Sequence, residues 1–250
     1  MDLRDRPAFS LEQYSKVLSL LNGDGLPYIL VGGQAVNYWA GHYLSVEPAL
    51  QDLLPFTSED IDFKGDRKDV ERLATQLNLK PSYPRSVEMT ILAGSIPFKV
   101  DGNISNIEFI TKIPGVSGSV ESMAIEAVAS GQRIRVLDPI SLFECKLKLA
   151  ATVDQKGRQD AHHLKIMILC VRSFLRQVLD SVNTNESPVK GWLGATTRIM
   201  KLTTFTHASK AARLYAIKWF EILPHREIAE SQNASIIQFR EKQLPKWKPD

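Results

Sequence analysis

Two aspartates one residue apart, Asp60 and Asp62, are the residues of this sequence whose types and spacing most directly suggest chemistry. Apolar Ile61 and Phe63 alternate with them, which is typical of a β-strand with one buried face. In such a strand both carboxylates point to the same side. They repel each other unless a cation lies between them, and Mg²⁺ favours carboxylates together with substrate phosphates. The alternative is the solvated face of an edge strand.

A pair of glycines lies upstream of these aspartates. Residues 28–31 form a short apolar run, Gly32 and Gly33 interrupt it, and a helix is predicted over residues 34–39. In this order of elements, the backbone N–H groups at the helix N-terminus face an anion. Glycine permits the close approach of a phosphate because it has no side chain. The glycines could also simply end the strand.

A third acidic residue, Asp101, ends a strand-like run over residues 96–101. Another such run covers residues 87–92, so residues 93–95 are predicted to form a hairpin turn between them. The run over residues 96–101 would place Asp101 beside the first strands of the sheet. In the alternative interpretation, Asp101 and Gly102 are themselves a turn, and Asp101 only ends a hairpin.

Together and in this order, these patterns resemble the polymerase-β-like nucleotidyltransferase superfamily. The resemblance covers residues 26–101, with a weaker extension to about residue 175. It implies an α/β (α+β) fold with a mixed β-sheet and flanking helices, followed here by a helical C-terminal region. It also implies transfer of a nucleoside monophosphate from a nucleoside triphosphate (NTP) to an acceptor hydroxyl, with release of pyrophosphate.

The resemblance implies roles for particular residues as well. Carboxylates would hold two Mg²⁺ ions, and the glycine turn would approach the triphosphate. For Ser58, a phosphate contact and a simple turn before the strand are equal alternatives. Asp60 and Asp62 would hold both metal ions, and Asp101 would complete the catalytic site where the attacking hydroxyl is activated, through metal coordination or as a base. The residues implied are Asp60, Asp62 and Asp101 as catalytic residues and metal ligands, and Gly32, Gly33 and Ser58 at the nucleotide.

A second pattern is similar to abortive-infection-type nucleotidyltransferase toxins, which carry a Lys-Leu-x-Ala helix and then a basic residue and an aspartate that open the next helix. Lys148, Arg158 and Asp160 match it. Lys148 would neutralise triphosphate charge, and Asp160 would orient Lys148 or cap its own helix. His163 stands where those toxins usually have a second aspartate. The alternative is that Lys148 and Lys146 are surface lysines, and Lys146 is given no role.

The composition is that of an ordinary globular protein, with 44% hydrophobic and 24% charged residues in a chain of 250. No apolar run is long enough to cross a membrane, and residues 1–7 lack the apolar core of a signal peptide. Cys145 and Cys170 lack metal-ligand spacing and fall in helix-like segments. We therefore expect buried thiols in a reducing compartment and a cytoplasmic location.

Helical periodicity predicts helices over residues 11–21, 69–77 and 158–176, and Asp138 before Pro139 predicts the start of another. The polar residues 183–188 predict a linker. A nucleotidyltransferase domain with its helical extension would thus span residues 1–182, and a basic helical region residues 189–250. From Lys190 onward, eleven Lys and Arg stand against five Asp and Glu. This charge is compatible with RNA, although a solvated helix face is the commoner case.

Taken together, the two resemblances imply a magnesium-dependent, toxin-like nucleotidyltransferase whose acceptor is tRNA or another RNA, with a cognate antitoxin as a candidate partner. The first alternative is a small-molecule transferase of the antibiotic-modifying kind, against which the basic C-terminal region argues mildly. The second is a non-catalytic binding module of the same fold, for example an antitoxin. Three retained carboxylates that repel each other argue against this module.

Overall fold

A six-stranded mixed β-sheet lies at the centre of the structure, a computed structural model that describes residues 7–23, 28–85 and 87–249. The strands are β1 (Ile29–Val31), β2 (Ile61–Lys64), β3 (Leu92–Val100), β4 (Asn103–Ile110), β5 (Ala124–Ala129) and β6 (Gln132–Leu137). Their order across the sheet is β3-β4-β2-β1-β6-β5. β2 is antiparallel to β1 and parallel to β4, and β1 is parallel to β6. The predicted α/β class with a mixed sheet is confirmed.

Helices flank this sheet and continue into a helical C-terminal region. They are α1 (Ser15–Gly23), α2 (Gly32–Tyr43), α3 (Arg67–Leu77), α4 (Val120–Met123), α5 (Pro139–Thr152), α6 (Asp160–Asn183), α7 (Val189–Leu202), α8 (Thr206–Tyr215), α9 (His225–Glu230) and α10 (Ala234–Lys242). Among the described residues, none of these helices combines the length and the apolar character needed to cross a membrane.

Local sequence signals account for where several helices begin. The Asp138 carboxylate accepts hydrogen bonds from the N–H groups of Ile140 and Ser141, so the predicted N-cap of α5 is confirmed. Asp66 caps α3 in the same way, which moves its start two residues before the predicted one. The predicted helix over residues 11–21 begins as a 3₁₀ turn, Leu11–Tyr14, before α1.

The predicted hairpin turn at residues 93–95 is wrong, because β3 runs through it from Leu92 to Val100. Gly94 is needed there for packing, since a Cβ atom would lie 2.9 Å from Cδ1 of Tyr83. The turn is instead formed by Asp101 and Gly102, both with positive φ (48° and 83°), and it joins β3 to β4. The alternative interpretation of Asp101 is therefore the one that the fold adopts.

A buried carboxylate anchors the long helix α6 to the segment after α2. Glu47 is 4% exposed and accepts hydrogen bonds from Arg172 Nε (3.0 Å) and Nη2 (2.8 Å) and from the Ser173 hydroxyl (3.3 Å). The ion pair of Glu47 and Arg172 thus holds α6 in place. The same helix carries residues of the cavity described below. Residues 41–56 thus have a structural role in the packing of α6.

Four buried tryptophans connect the helices to the rest of the core. Each indole N–H donates a hydrogen bond to a buried neighbour, which removes the cost of burying this polar group. The pairs are Trp39 with Leu137 O, Trp192 with Leu175 O, Trp219 with Ala208 O, and Trp247 with Thr203 Oγ1. Buried side chains on both sides of residues 183–188 belong to one hydrophobic core. The division into 1–182 and 189–250 remains a prediction.

Candidate active site

A polar cavity of about 440 Å³ lies where β2 and β4 meet the first turns of α2 and α6. Its lining combines acidic side chains from the sheet with basic side chains from α5 and from the loop before α6. The residues that line it are Gly33, Ser58, Glu59, Asp60, Asp62, Glu108, Lys146, Lys156, Gly157, Arg158, Gln159, Asp160 and His163. Of the predicted site residues, Gly33, Ser58, Asp60 and Asp62 are thus brought together, and Gly32 adjoins them.

The acidic part of the lining comes from two neighbouring strands. Asp62 on β2 is in register with Glu108 on β4, so the two side chains leave the sheet on the same face. Asp60 precedes β2, and its Oδ1 accepts a hydrogen bond of 3.3 Å from Nδ2 of Asn106. The structure therefore adds Glu108 to the predicted Asp-x-Asp pair.

Burial and mutual repulsion make these carboxylates unusually basic. Burial raises the pKa of Asp62 to about 6, with Lys146 opposing the rise and Asp60 adding to it. Burial also raises the pKa of Glu108 to about 7, and the charges of Asp62 and Asp60 contribute. At neutral pH the cluster is therefore a site at which a cation would relieve a large electrostatic penalty.

The two glycines are required by how closely the carboxylate and serine side chains approach them. Gly32 has φ +66°, and a Cβ atom there would lie 1.9 Å from Oδ2 of Asp62. A Cβ atom on Gly33 would lie 2.2 Å from Oγ of Ser58. The Gly33 N–H donates a hydrogen bond to the Asp62 carboxylate, which helps to stabilise its charged form. The N-terminus of α2 is thus in direct contact with the acidic cluster.

Ser58 is held in place through its backbone. Its N–H and C=O exchange hydrogen bonds of 3.0 and 2.9 Å with the backbone of Phe9. The Phe9 carbonyl also accepts a bond of 2.9 Å from Nε2 of buried Gln34 on α2. Ser58 is therefore a fixed part of the cavity wall beside the glycine turn.

A buried ion pair forms the basic side of the cavity. Lys146 is 5% and Asp160 4% exposed, and Lys146 Nζ lies 2.8 Å from Asp160 Oδ1. Arg158 Nε lies 2.8 Å from the other carboxylate oxygen. Burial alone would raise the pKa of Asp160, but the charges and hydrogen bonds of Lys146 and Arg158 lower it below its usual value. The lysine and the arginine are thus oriented by one carboxylate.

The lysine of α5 that lines the cavity is Lys146 and not Lys148. Because Lys146 is buried, its interpretation as a surface lysine is wrong. Residues two apart on a helix point in nearly opposite directions, so the two lysines cannot both face the cavity. Lys148 Nζ instead lies 2.9 Å from Nε2 of His207 on α8. The structure accordingly places Lys148, a predicted catalytic residue, outside the cavity lining.

Asp101 is also absent from the residues that line the cavity. Its exposed carboxylate accepts a hydrogen bond from Nε2 of Gln13, within the turn between β3 and β4. The third carboxylate beside Asp62 is Glu108, in the middle of β4. The signal that could have identified Glu108 is its place between buried Ile107 and Phe109, because this alternation puts it on the face opposite to theirs.

His163 is a buried residue of the lining whose role the sequence left open. It is 3% exposed, and the backbone of Thr57 is the hydrogen-bonding neighbour of its ring, although no bond of close geometry forms among the described residues. A Cβ atom on Gly33 would lie 2.9 Å from its Cε1. Burial, together with the charge of Lys146, keeps the pKa of His163 well below its usual value, so the ring is neutral.

The donor set of this cavity fits magnesium, although no metal site is preformed. Within residues 7–23, 28–85 and 87–249, no three His, Cys, Asp or Glu side chains converge on one point as an ion would require. Mg²⁺ needs only one or two carboxylates, because substrate phosphates and water supply its other ligands. Burial raises the pKa values of Asp62 and Glu108, so a bound cation would stabilise the charged form of both carboxylates.

No protein-family model matches this chain, and no curated protein is significantly similar to it in sequence. A solved structure, the antigenic nucleotidyltransferase-like protein from Paracoccidioides brasiliensis, is similar with a TM-score of 0.43 and 13% sequence identity. The match covers 65% of this chain and 78% of that one. At this level of similarity, the match carries no argument about site residues or activity.

Proposed function

We propose that this protein is a magnesium-dependent nucleotidyltransferase that moves a nucleoside monophosphate from an NTP to an acceptor hydroxyl. The observation that carries the proposal is the cluster of Asp60, Asp62 and Glu108 against the glycine turn, in a cavity that also holds basic side chains. Phosphoryl transfer needs carboxylates for metal ions, a close approach to phosphates and cations to balance charge. The cavity provides the carboxylates, a glycine turn without side chains, and the basic side chains of Lys146, Lys156 and Arg158.

Each part of the cavity has a role in this proposal. Asp60 and Asp62 would hold two Mg²⁺ ions, which would neutralise charge on the triphosphate when bound. Lys156 and Arg158, in the loop before α6, would contact the triphosphate. Glu108 would accept the proton of the acceptor hydroxyl, because it is in register with Asp62 and leaves the sheet on the same face, toward the reacting groups. The hydroxyl oxygen then bonds to the α-phosphorus, and the bond to pyrophosphate breaks.

We further propose RNA, such as the 3′ end of tRNA, as the acceptor. Lys201, Lys210 and Arg213 on α7 and α8 are exposed. The hydroxyl of Tyr215 at the end of α8 donates a hydrogen bond of 3.0 Å to the Ala150 carbonyl on α5, the helix that carries the cavity lysine. Basic side chains on an adjoining helix would hold a phosphate backbone near the site. A toxin-like role with a cognate antitoxin would fit this acceptor.

The reaction is tested by incubating purified protein with each α-labelled NTP, Mg²⁺ and total RNA. We expect label in RNA with the wild type and none with the double variant Asp60→Ala/Asp62→Ala. The matched control is Asp52→Ala/Asp180→Ala, which removes two exposed aspartates outside the cavity. Chelation of the metal should also abolish transfer. Transfer that survives the loss of Asp60 and Asp62 would refute the metal mechanism.

The acceptor is tested separately with Lys210→Gln/Arg213→Gln. We expect this variant to label RNA more weakly while it binds NTP as the wild type does. Lys68→Gln/Arg72→Gln on exposed α3 makes the same change in charge away from the cavity and should have no effect. Nucleotide binding without transfer to RNA would favour a small-molecule acceptor. Absence of both binding and transfer would favour a non-catalytic module.

A further inference from the structure

Phe220 is an exposed aromatic residue that belongs to a stack of three rings in the C-terminal region. It lies in the 3₁₀ turn Trp219–Ile222 and is 52% exposed. Its ring is parallel to that of His225 within 5°, with 4.5 Å between the centroids, and to that of Trp247 within 20°, at 5.2 Å. Single exposed apolar side chains are common at protein surfaces. Phe220 differs from them because two other rings hold it in a fixed orientation.

The distances between the three rings show that one face of Phe220 is not covered by the other two. Two parallel rings in contact lie about 3.5 Å apart, so rings on opposite faces of Phe220 would be separated by about 7 Å or more. The centroids of His225 and Trp247 are only 6.5 Å apart. Both rings therefore pack on the same face of Phe220, and its opposite face is available to a ligand.

Hydrogen bonds hold the two supporting rings in place. Trp247 is 5% exposed, and its indole N–H donates to Thr203 Oγ1 at 3.1 Å. His225 Nε2 donates to the Phe220 carbonyl at 2.7 Å. The aromatic surface is thus ordered before a ligand arrives, which lowers the entropy cost of binding to it.

Phe220 and His225 also border a second cavity, of about 510 Å³. Its charges nearly balance, since three arginines accompany two glutamates, and Arg172 and Arg176 are also paired with buried Glu47. A cavity of this size and balance suits a flat, neutral group better than a phosphate. Its charged residues are Arg172, Arg176, Arg226, Glu221 and Glu227.

Each ring of the stack has an exposed cation one or two residues away in the sequence. Aromatic rings interleaved with basic side chains are typical of proteins that bind single-stranded nucleic acids, whose bases stack while their phosphates meet the cations. Lys218 and Arg226 also pair with Glu221 and Glu230, but these ion pairs are exposed and therefore weak. The cations are Lys218, Arg226, Lys246 and Lys248.

We propose that Phe220 is a stacking site for an unpaired base of single-stranded RNA, whose phosphates are held by the exposed cations around the stack. This inference rests on the proposed function for the choice of RNA as the ligand. The site is separate from the active-site cavity, although α6 contributes to both. Asp160 of the first cavity and Arg172 of the second lie about 18 Å apart along the helix axis. Phe220 would therefore bind a part of the RNA that is distant from the reacting hydroxyl.

The experiment measures binding of a labelled single-stranded RNA by fluorescence anisotropy, without NTP or Mg²⁺. Phe220→Leu keeps an apolar side chain against His225 and Trp247 but removes the flat ring, so the affinity should fall about fivefold or more, the usual effect of losing one stacked base. Phe220→Tyr keeps the ring and should bind as the wild type does. The matched control is Phe205→Leu, the same change at a phenylalanine that is 58% exposed and lines neither cavity; it should bind as the wild type.

The salt dependence of binding separates stacking from charge. Phe220→Leu removes no phosphate contact, so it should lower the affinity by the same factor at every salt concentration. Lys246→Gln/Lys248→Gln should instead reduce the slope of log K against log salt by about 0.7 for each lysine. Circular dichroism of each variant establishes that it is folded.

Two results would overturn the inference at once: Phe220→Leu that binds the RNA as tightly as the wild type, or wild-type protein that does not bind it. Self-association of the wild type that Phe220→Leu abolishes would also overturn it, and would assign the exposed ring to a second copy of the chain.

These results are distinguishable from the outcome for the proposed function, because the binding assay contains no NTP. Wild-type protein that binds RNA through Phe220 but transfers no label would leave the stacking site standing and remove the transferase. Transfer to RNA by Phe220→Leu with an unchanged KM for RNA would support the transferase and remove the stacking site.

Discussion

Replacing Glu108 with glutamine should stabilise the ligand-free protein, and the gain should grow with pH. The pKa of Glu108 is raised from 4.5 to about 7, so the folded protein holds this proton more tightly than the unfolded chain does. A shift of this size corresponds to about 3 kcal/mol of differential stability. The penalty is absent below the unfolded pKa, rises as the pH increases from there, and is complete above the folded pKa.

The expected magnitude differs between two convenient conditions. At about pH 5, the unfolded chain is largely ionised and the folded protein is not, so wild-type Glu108 costs about 1 kcal/mol. At about pH 8.5, it costs about 3 kcal/mol. The advantage of Glu108→Gln over the wild type should thus increase by about 2 kcal/mol between these conditions. Part of the gain acts through Asp62, because the two carboxylates repel each other.

Urea unfolding of both proteins at the two pH values measures this difference. Glu186→Gln, the same change at an exposed position, is the control and should follow the wild type at both. Saturating Mg²⁺ should reduce or reverse the advantage of Glu108→Gln, because an ion that binds the folded carboxylates stabilises the wild type. A pH-independent difference, or a destabilised variant at the higher pH, would refute the electrostatic account of the cluster.

Three further predictions follow from the same geometry. Lys146→Met leaves Asp160 buried without its lysine, so urea unfolding should show a loss of about 3 kcal/mol. Much of this loss should be recovered in Lys146→Met/Asp160→Leu, and a variant as stable as the wild type would contradict the account of this ion pair. Asp101→Asn should retain transfer activity within about twofold and change stability by less than about 0.5 kcal/mol, since its side chain is exposed and outside the cavity; inactivation would contradict this placement. Cys145 and Cys170 should react with a thiol reagent only after unfolding, because burial raises the pKa of both thiols, that of Cys145 to about 12; rapid reaction of the native protein would show that they are accessible.

The parts of the site that the sequence predicted correctly are those set by short-range signals. β1, the glycine turn and α2 are adjacent in the chain, and the alternation of Ile61 and Phe63 with two aspartates is visible within one strand. Such patterns depend on geometry within a few residues. The structural prediction of strand, turn and helix is therefore confirmed there, while the catalytic roles stay predictions.

The parts that the sequence missed depend on long-range packing. The partner of Asp62 on β4 is set by the register between two strands that are distant in sequence, so the local patterns that indicated Asp101 did not reveal Glu108. Likewise, whether Lys146 or Lys148 faces the cavity depends on how α5 is rotated against α6. Local periodicity determines neither the register between strands nor the rotation of one helix against another.

The four hydrogen-bonded tryptophans give the protein an optical property of practical use. All four indoles are at most 5% exposed, and none lines the cavity, so the native emission comes from shielded rings and should be blue-shifted and resistant to quenching by iodide. Because they lie on both sides of residues 183–188, their red shift during unfolding reports on the sheet region and on the C-terminal helices together. Variants with Trp39 alone or Trp192 alone retained would show whether the two regions melt in one transition or in two.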